Sequence, residues 1–231
     1  MKWINQLAGT AASAAVLAAT TPGIAGGAAG GAALAWGGND FGQTGVPAEA
    51  RSGVGAVAAS RYHSLALRGG KVIAWGRNDF GQTDVPAEAQ SGVDAIASGG
   101  FHSVALKSGR VLVWGRSEDG QTSVPAAARS GVDAVVSGEK FVLALRAGRV
   151  LAWGNNEYGQ TGVPAEAGAG VTVLAAGRDH AFAVRDGRLL AWGSNSDGQL
   201  DVPAEARTGV VAVAAGSIHS LVACWPAQPR S

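Results

Sequence analysis

The chain has 231 residues, and its composition excludes several classes of protein. Hydrophobic residues make up 47% of it and charged residues only 15%, whereas a disordered chain combines low hydrophobicity with high net charge. The formal net charge is +1, so the overall charge does not indicate a nucleic-acid partner. The one cysteine, Cys224, excludes an intramolecular disulfide and a zinc site built from several cysteines.

Residues 1–31 have the character of a secretory leader. Lys2 is followed by an Ala-rich apolar stretch and then by small residues ending near Ala25 or Ala29, as in a signal peptide. The alternative is a degenerate extra repeat, because residues 16–19 resemble residues 173–176. The apolar run is too short and too rich in glycine to predict a membrane span. The sequence therefore predicts a secreted protein with a leader at 1–31, a main domain at 32–226 and a tail at 227–231.

The main domain contains five copies of a 39-residue repeat. Three framework residues keep this spacing without one insertion: Trp36, Trp75, Trp114, Trp153 and Trp192; Gln43, Gln82, Gln121, Gln160 and Gln199; and Pro47, Pro86, Pro125, Pro164 and Pro203. A fixed period of this length is typical of propellers and solenoids.

Each repeat reads as a set of short antiparallel strands. In the second copy, residues 93–97, 102–106 and 110–114 are apolar runs bounded by turn residues, and none is long enough for a helix. Two-residue turns ending in glycine, such as Ser108-Gly109, join the second run to the third. The segment Gly-Gln-Thr-x-Val-Pro adds a fourth short extended piece. Three to four strands in this length predict one propeller blade, and therefore an all-β, five-bladed propeller.

The two ends of the repeat array predict closure into a ring. The last copy supplies two strands, at 210–214 and 219–223, and residues 32–36 supply the run that corresponds to its missing third strand. Pairing of this N-terminal strand with the C-terminal blade would remove both exposed sheet edges. The sequence thus predicts a closed, monomeric ring.

Variation between the copies concentrates in two loops per repeat. One loop follows each Trp-Gly pair and the other precedes each histidine position, so both sets fall at one rim of the ring. Aromatic residues mixed with Asp, Glu and Arg are typical of a protein-binding surface. The alternative is that Phe41, Phe80 and Tyr158 pack beneath their own loops.

Four histidines, His63, His102, His180 and His219, also follow the period. A ring of metal ligands is one interpretation, and a set of buried imidazoles that hydrogen-bond to the neighbouring blade is the other. Phe141 occupies the one position of the five that has no histidine, and no carboxylate follows the histidines at the same spacing. Both facts favour the structural interpretation. The sequence contains no nucleophile elbow, phosphate loop or metal-binding motif, so we expect neither an enzyme nor a cofactor.

The repeat resembles that of the regulator of chromosome condensation superfamily. The resemblance covers residues 32 to about 224 and rests on Trp-Gly-x-Asn-x-x-Gly-Gln-Thr, on residues 85–97 and on residues 63–67. Within the superfamily, the chain is most similar to the secreted β-lactamase inhibitory proteins of propeller type. That resemblance implies an extracellular inhibitor that covers the active-site mouth of class A β-lactamases. The nuclear branch, which acts on a small GTPase and touches chromatin, agrees less well with the net charge and the leader.

The resemblance also implies which rim residues contact the partner. They are the aromatic and acidic members of the two loops: Asp40, Phe41, Tyr62, Asp79, Phe80, Phe101, Asp119, Glu157, Tyr158 and Asp197. The chain departs from the family pattern in two respects. It has five repeats where the family has seven blades, and Lys140, Asp179 and Ile218 stand where the inhibitor would carry aromatic residues. A propeller adaptor with another protein partner is therefore the alternative function.

Overall fold

The computed structural model describes residues 30–225. All of the predicted leader except its last two residues lies outside this range, as does the predicted tail at 227–231. The described part contains fourteen strands and five short 3-10 helices. No helix among residues 30–225 is long and apolar enough to cross a membrane.

The strands form five antiparallel sheets, each of which is one blade of a propeller, and the predicted all-β, five-bladed architecture is confirmed. Within each blade the strands follow chain order. The blades consist of β1 (Val54–Ala59), β2 (His63–Arg68) and β3 (Lys71–Gly76); β4 (Ala95–Ser98), β5 (His102–Lys107) and β6 (Arg110–Gly115); β7 (Ala134–Ser137), β8 (Phe141–Arg146) and β9 (Arg149–Gly154); β10 (Val171–Ala176), β11 (His180–Arg185) and β12 (Arg188–Gly193); and β13 (Val210–Ala215) with β14 (Ser220–Cys224).

Tight turns join the second and third strands of the first four blades, as the sequence predicts. Both turn residues have positive φ angles, 47° and 75° at Ser108 and Gly109, for example. This is the conformation of a type I′ hairpin, whose twist matches that of the strands. In two of these turns an aspartate holds the strained residue, because Asp94 Oδ2 accepts from Ser108 N and Asp133 Oδ2 accepts from Ala147 N.

The predicted fourth extended piece does not form a strand in any described blade. The conserved proline is itself extended, with φ −68° and ψ 155° at Pro47, but a 3-10 helix follows directly. These helices are Ala48–Ala50, Ala87–Gln90, Ala126–Ala128, Ala165–Gly168 and Ala204–Ala206. Each helix buries one alanine, so the segment packs as a short helical turn and not as an edge strand.

The hydrophobic core lies between consecutive blades. Leu65 and Leu67 of the first blade pack with Ile96 and Ala105 of the second, and equivalent clusters recur along the array. First strands of consecutive blades lie side by side, from β1 through β4, β7 and β10 to β13. Each blade is therefore stabilised by its neighbours more than by its own interior, as expected for a repeat protein.

The predicted ring closure is not formed within residues 30–225, and this part of the prediction is corrected. The last blade has only two strands, and residues 32–36 pair with no strand of it. The segment instead begins against the first blade, where Gly53 N donates to Gly30 O and Val54 N donates to Gly31 O. No packing comparable with that between internal neighbours joins β13 back to β1. Four junctions therefore join the five blades in chain order, and the described residues form no comparable fifth junction between the last blade and the first.

Candidate protein-binding rim

The two variable loops of each blade lie together on one rim. The residue after the Trp-Gly pair donates its backbone N–H to the loop that precedes the second strand in the first four blades: Arg77 N to Tyr62 O, Arg116 N to Phe101 O, Asn155 N to Lys140 O and Ser194 N to Asp179 O, at 2.8–3.0 Å. The inner loops of neighbouring blades are also linked, because Gly100 N donates to Glu139 O and Glu139 N donates to Arg178 O. The two sets of loops therefore lie on one rim, as the sequence predicts, and hydrogen bonds link the rim loops of the second, third and fourth blades.

The framework glutamine explains how this rim is held in place. In every copy its side-chain oxygen accepts the backbone N–H of the residue two positions before it, from Phe41, Phe80, Asp119, Tyr158 and Asp197, at 2.8–3.0 Å. The backbone oxygen of the same glutamine accepts the indole N–H of the next framework tryptophan, as from Trp114 to Gln82 at 3.0 Å. The glycine between rim residue and glutamine has a positive φ, 74° at Gly81, which turns the loop back. Backbone bonds thus position a rim side chain whose identity is free to change.

Four aromatic rings and two arginines form a contiguous group over the first two blades, which we call the aromatic–arginine cluster (Phe41, Tyr62, Phe80, Phe101, Arg77 and Arg116). Tyr62 and Phe101 stack with their centroids 4.8 Å apart. Phe41 meets Tyr62 edge to face at 5.4 Å, and Phe80 meets Phe101 edge to face at 5.3 Å. Arg77 lies over three of the rings, 4.6 Å from the centroid of Phe41, and Arg116 lies 5.2 Å from that of Phe80. Such cation–π and aromatic pairs fix the rings in place.

Blades three and four present a different surface, the charged arc (Asp119, Glu139, Lys140, Arg178 and Asp179). Arg178 lies between two carboxylates, 2.9 Å from Glu139 and 3.3 Å from Asp179, and Lys140 lies 3.8 Å from Asp119. Burial raises the pKa of the Asp179 carboxyl, and Arg178 opposes that change. These pairs are partly exposed, so they shape the local field more than they stabilise the fold.

The structure brings only some of the ten predicted contact residues together. Phe41, Tyr62, Phe80 and Phe101 are in mutual contact, and Asp79 pairs with Arg77 beside them. Asp119 belongs to the charged arc, and the charge of Glu157 acts on Asp179 there. Tyr158 is 51% exposed and takes no part in the aromatic contacts of the described residues. Asp40 is exposed on the first loop, and Asp197 accepts a hydrogen bond from Ser196 in its own loop.

Several rim residues were missed by the choice of aromatic and acidic positions alone. Arg77 and Arg116 interleave with the rings, and Glu139, Lys140 and Arg178 form the charged arc together with Asp179. All of them occupy the same two variable loops as the predicted residues. The signal that would have identified them was variation in the repeat register, without regard to residue type.

Three of the four histidines form junctions between blades, as the structural interpretation predicts. His63, His102 and His180 are buried, and each Nε2 lies within hydrogen-bond distance of a serine hydroxyl in the next blade. Burial lowers the pKa of His63 and His180 to about 4, and that of His102 to about 3. These imidazoles are therefore neutral at physiological pH. His219 departs from the prediction, because it is exposed at the end of the last blade.

Comparison with known protein families identifies the same repeat in the sequence. Residues 56–82, 93–121 and 171–199 match the sequence profile of the regulator of chromosome condensation (RCC1) repeat. These matches support the predicted resemblance of the chain to the RCC1 repeat superfamily. A comparison with curated proteins gave no match.

Solved RCC1-like propellers are similar in fold. Yeast RCC1 (Prp20), in its structure with Kap60, has a TM-score of 0.65 and 22% identity over 82% of this chain and 63% of its own. Human WBSCR16 has a TM-score of 0.62 and 23% identity over 81% of this chain and 66% of its own. The ectodomain of the Physcomitrella patens receptor kinase CR4 has a TM-score of 0.57 and 28% identity over 79% of this chain and 50% of its own. The chain thus spans less than two thirds of each.

Proposed function

We propose that this chain is a secreted protein-binding propeller whose rim covers the active site of a class A β-lactamase. The observation that carries the binding role is the aromatic–arginine cluster, in which Phe41 and Phe80 remain exposed although they are held in place by their neighbours. Exposed rings in a rigid frame lose little side-chain freedom on association, which otherwise costs free energy. Inhibition of this kind needs no catalytic group, because burying the entrance of the substrate cleft is sufficient.

Two structures of one relative, yeast Prp20, support the general role. Prp20p from Saccharomyces cerevisiae has been studied for its binding to Gsp1p and histones, and yeast RCC1 was solved bound to Kap60. Two observations support secretion. The N-terminus resembles a secretory leader, and the CR4 ectodomain is similar to this chain in fold. The β-lactamase target itself is supported by the sequence resemblance alone.

The test is the hydrolysis of a chromogenic β-lactam by several class A enzymes in the presence of micromolar protein. We expect slower hydrolysis in at least one of them, and a weaker effect of the variant Phe80→Ala. Val211→Ala is the matched control, because Val211 is also an exposed apolar residue but lies at the start of β13, at the opposite end of the strand from the rim loop. Unchanged hydrolysis in every enzyme would eliminate the inhibitor proposal.

A propeller adaptor for a different protein is the second candidate, and the charged arc favours it. Where the resemblance implies aromatic residues, Lys140 and Asp179 carry charge and pair with their neighbours. A partner for this rim would need an apolar surface opposite the first two blades and charged groups opposite the next two. Capture from a mixed bacterial extract, with the wild type and Phe80→Ala as parallel baits, would identify it. A partner retained equally by both baits would argue against the aromatic–arginine cluster as its site.

A further inference from the structure

The two ends of the described blade array expose apolar residues whose equivalents at the internal junctions are buried or half-buried. At one end, Leu34 is 81% exposed and Trp36 is 78% exposed. At the other end, Leu221 of β14 is 61% exposed, whereas its equivalents Leu65, Val104, Leu143 and Phe182 are fully buried by the following blade. Val57 of β1 is likewise exposed, although Ile96, Val135 and Leu174 at the same register are buried. Each end is thus one half of a junction.

The strand register shows that the two halves fit each other. In the first blade Ser64 pairs with Trp75 and Ala66 pairs with Ile73 across β2 and β3. The same register, carried four repeats forward on β2 and one repeat back on β3, places Ser220 opposite Trp36 and Val222 opposite Leu34. Residues 32–36 contain no charged residue and no proline, and neither does β14. Both edges therefore lack the features with which proteins usually block strand pairing.

Two polar contacts of the internal junctions are also incomplete at the ends of the array, with one partner at each end. At internal junctions the backbone oxygen of a framework glutamine accepts from a serine hydroxyl and a tryptophan indole together, as Gln82 O does from Ser103 and Trp114. Gln199 O accepts from Ser220 at 2.9 Å, and Trp36 is the tryptophan in register with it. His219 is exposed at the position where His63 meets Ser103 of the following blade, and Ser64 is the matching serine.

We propose that these ends join head to tail between two copies of this chain, so that residues 32–36 of one copy complete the last blade of the other. A second copy is the occupant because the first and fifth blades of one chain are not packed together and the internal junctions fix the step between blades. Docking between copies forms a further junction without changing the existing ones. Such a contact is heterologous, with a different surface on each partner. It replaces the monomeric state expected from the sequence.

The experiment is sedimentation of the full chain over a range of concentrations, with one variant at each end. Leu34→Lys charges the first end, and Leu221→Lys charges the last. We expect the wild type to sediment as oligomers whose proportion rises with concentration, and each variant alone to sediment as a monomer. Because each variant retains the end that the other has lost, an equimolar mixture should form a one-to-one heterodimer and nothing larger.

The control is Phe80→Ala, which should assemble like the wild type because Phe80 lies on the rim. Both lysine substitutions replace exposed side chains, so each variant should melt at the wild-type temperature in dilute solution. A monomeric wild type at all concentrations, or a mixture that stays monomeric, would overturn the proposal. A monomeric wild type whose melting temperature falls with Leu34→Lys would instead indicate closure within one chain. None of these outcomes depends on β-lactamase inhibition, which is read from Phe80→Ala.

Discussion

The blade junctions and the rim follow the same 39-residue period, but they differ in what they repeat. At the junctions the residues themselves recur, as with the histidine–serine contacts of His63, His102 and His180. On the rim only the backbone recurs, and the side chain on it changes from phenylalanine to aspartate to tyrosine. Stability and recognition are therefore assigned to different parts of the same repeat, and each can be perturbed alone.

Low pH should produce the largest difference between the two regions, because it acts on the histidines of the blade junctions. The pKa of the three buried histidines is lowered to about 4 or about 3 in the folded protein, against 6.5 as the reference value. The unfolded chain therefore binds more protons below pH 6.5, and the stability that is complete above that pH is lost as the pH falls toward 4. We expect the free energy of unfolding to fall by roughly 1–2 kcal/mol for each histidine by pH 5. Denaturant titrations at several pH values measure this.

A matched control comes from the third junction, where Phe141 is fully buried at the histidine position. His102→Phe places the same residue at the second junction. It should remove the contribution of one of the three buried histidines to the pH dependence of the free energy of unfolding. Equal slopes in the variant and the wild type would show that His102 is not responsible. Chelators should leave the stability unchanged, because Nε2 of each of the three buried histidines lies within hydrogen-bond distance of a serine hydroxyl.

The glutamine that connects junction and rim should be the most costly single position in the loop. Gln160 is buried, and its side-chain oxygen holds the backbone of Tyr158 while its backbone oxygen accepts from Trp192. Gln160→Ala removes the side-chain contacts, to Tyr158 N and from Nε2 to Asn155 Oδ1, and keeps the backbone contact with Trp192. It should destabilise the fold by about 1–3 kcal/mol. Thermal unfolding measures the loss. Gln43→Ala is the comparison, and it should cost less because Gln43 is partly exposed.

Rim side chains should show the opposite behaviour. Phe80→Ala should weaken partner binding by about 2 kcal/mol, because energy in such interfaces concentrates in a few aromatic anchors. Its melting temperature should change little, since the ring is exposed and its backbone is held by Gln82. Calorimetric titration and thermal melting of the same sample test both statements. A variant that melts early and binds normally would contradict the separation of the two regions.

The smallest expected effect lies in the hairpin turns, away from both regions. Ala147 has a φ of 48°, a left-handed conformation that disfavours residues with a Cβ atom. Ala147→Gly should therefore stabilise the protein by up to about 1 kcal/mol, with no change in binding. Gly148→Ala is the paired variant and should destabilise, because its φ is 75° and a Cβ would lie 2.9 Å from Gly170 N. Chemical denaturation of the two variants gives the comparison.

Local features of the fold could be predicted from the sequence because they recur. The strands, the turn at Ser108-Gly109 and the junction role of His63 each follow from residues in one repeat and its neighbour. Closure could not be predicted in this way. Whether residues 32–36 reach the last blade depends on the angle between successive blades, and that angle is set by packing and not by the period.

The rim was predictable as a location but not as a surface. Variation at Phe41, Tyr62, Phe80 and Phe101 marked the loops, yet nothing in the spacing shows that Arg77 lies over three of these rings. Contacts between loops of different repeats depend on rotamers and on the curvature of the array. Single positions such as Tyr158 and Asp40 consequently lie outside the aromatic–arginine cluster, although they belong to the same variable loops.

The glutamine-held loop also makes this chain a natural display scaffold. Because Gln82 binds the backbone N–H of residue 80 and not its side chain, any amino acid except proline placed there keeps the same attachment. The same holds at positions 119 and 158, which already carry an acid and a phenol on an identical backbone. Randomising these positions would produce a combinatorial library in which every member retains the parent fold, and selection from it could redirect the rim to targets that the natural protein never meets.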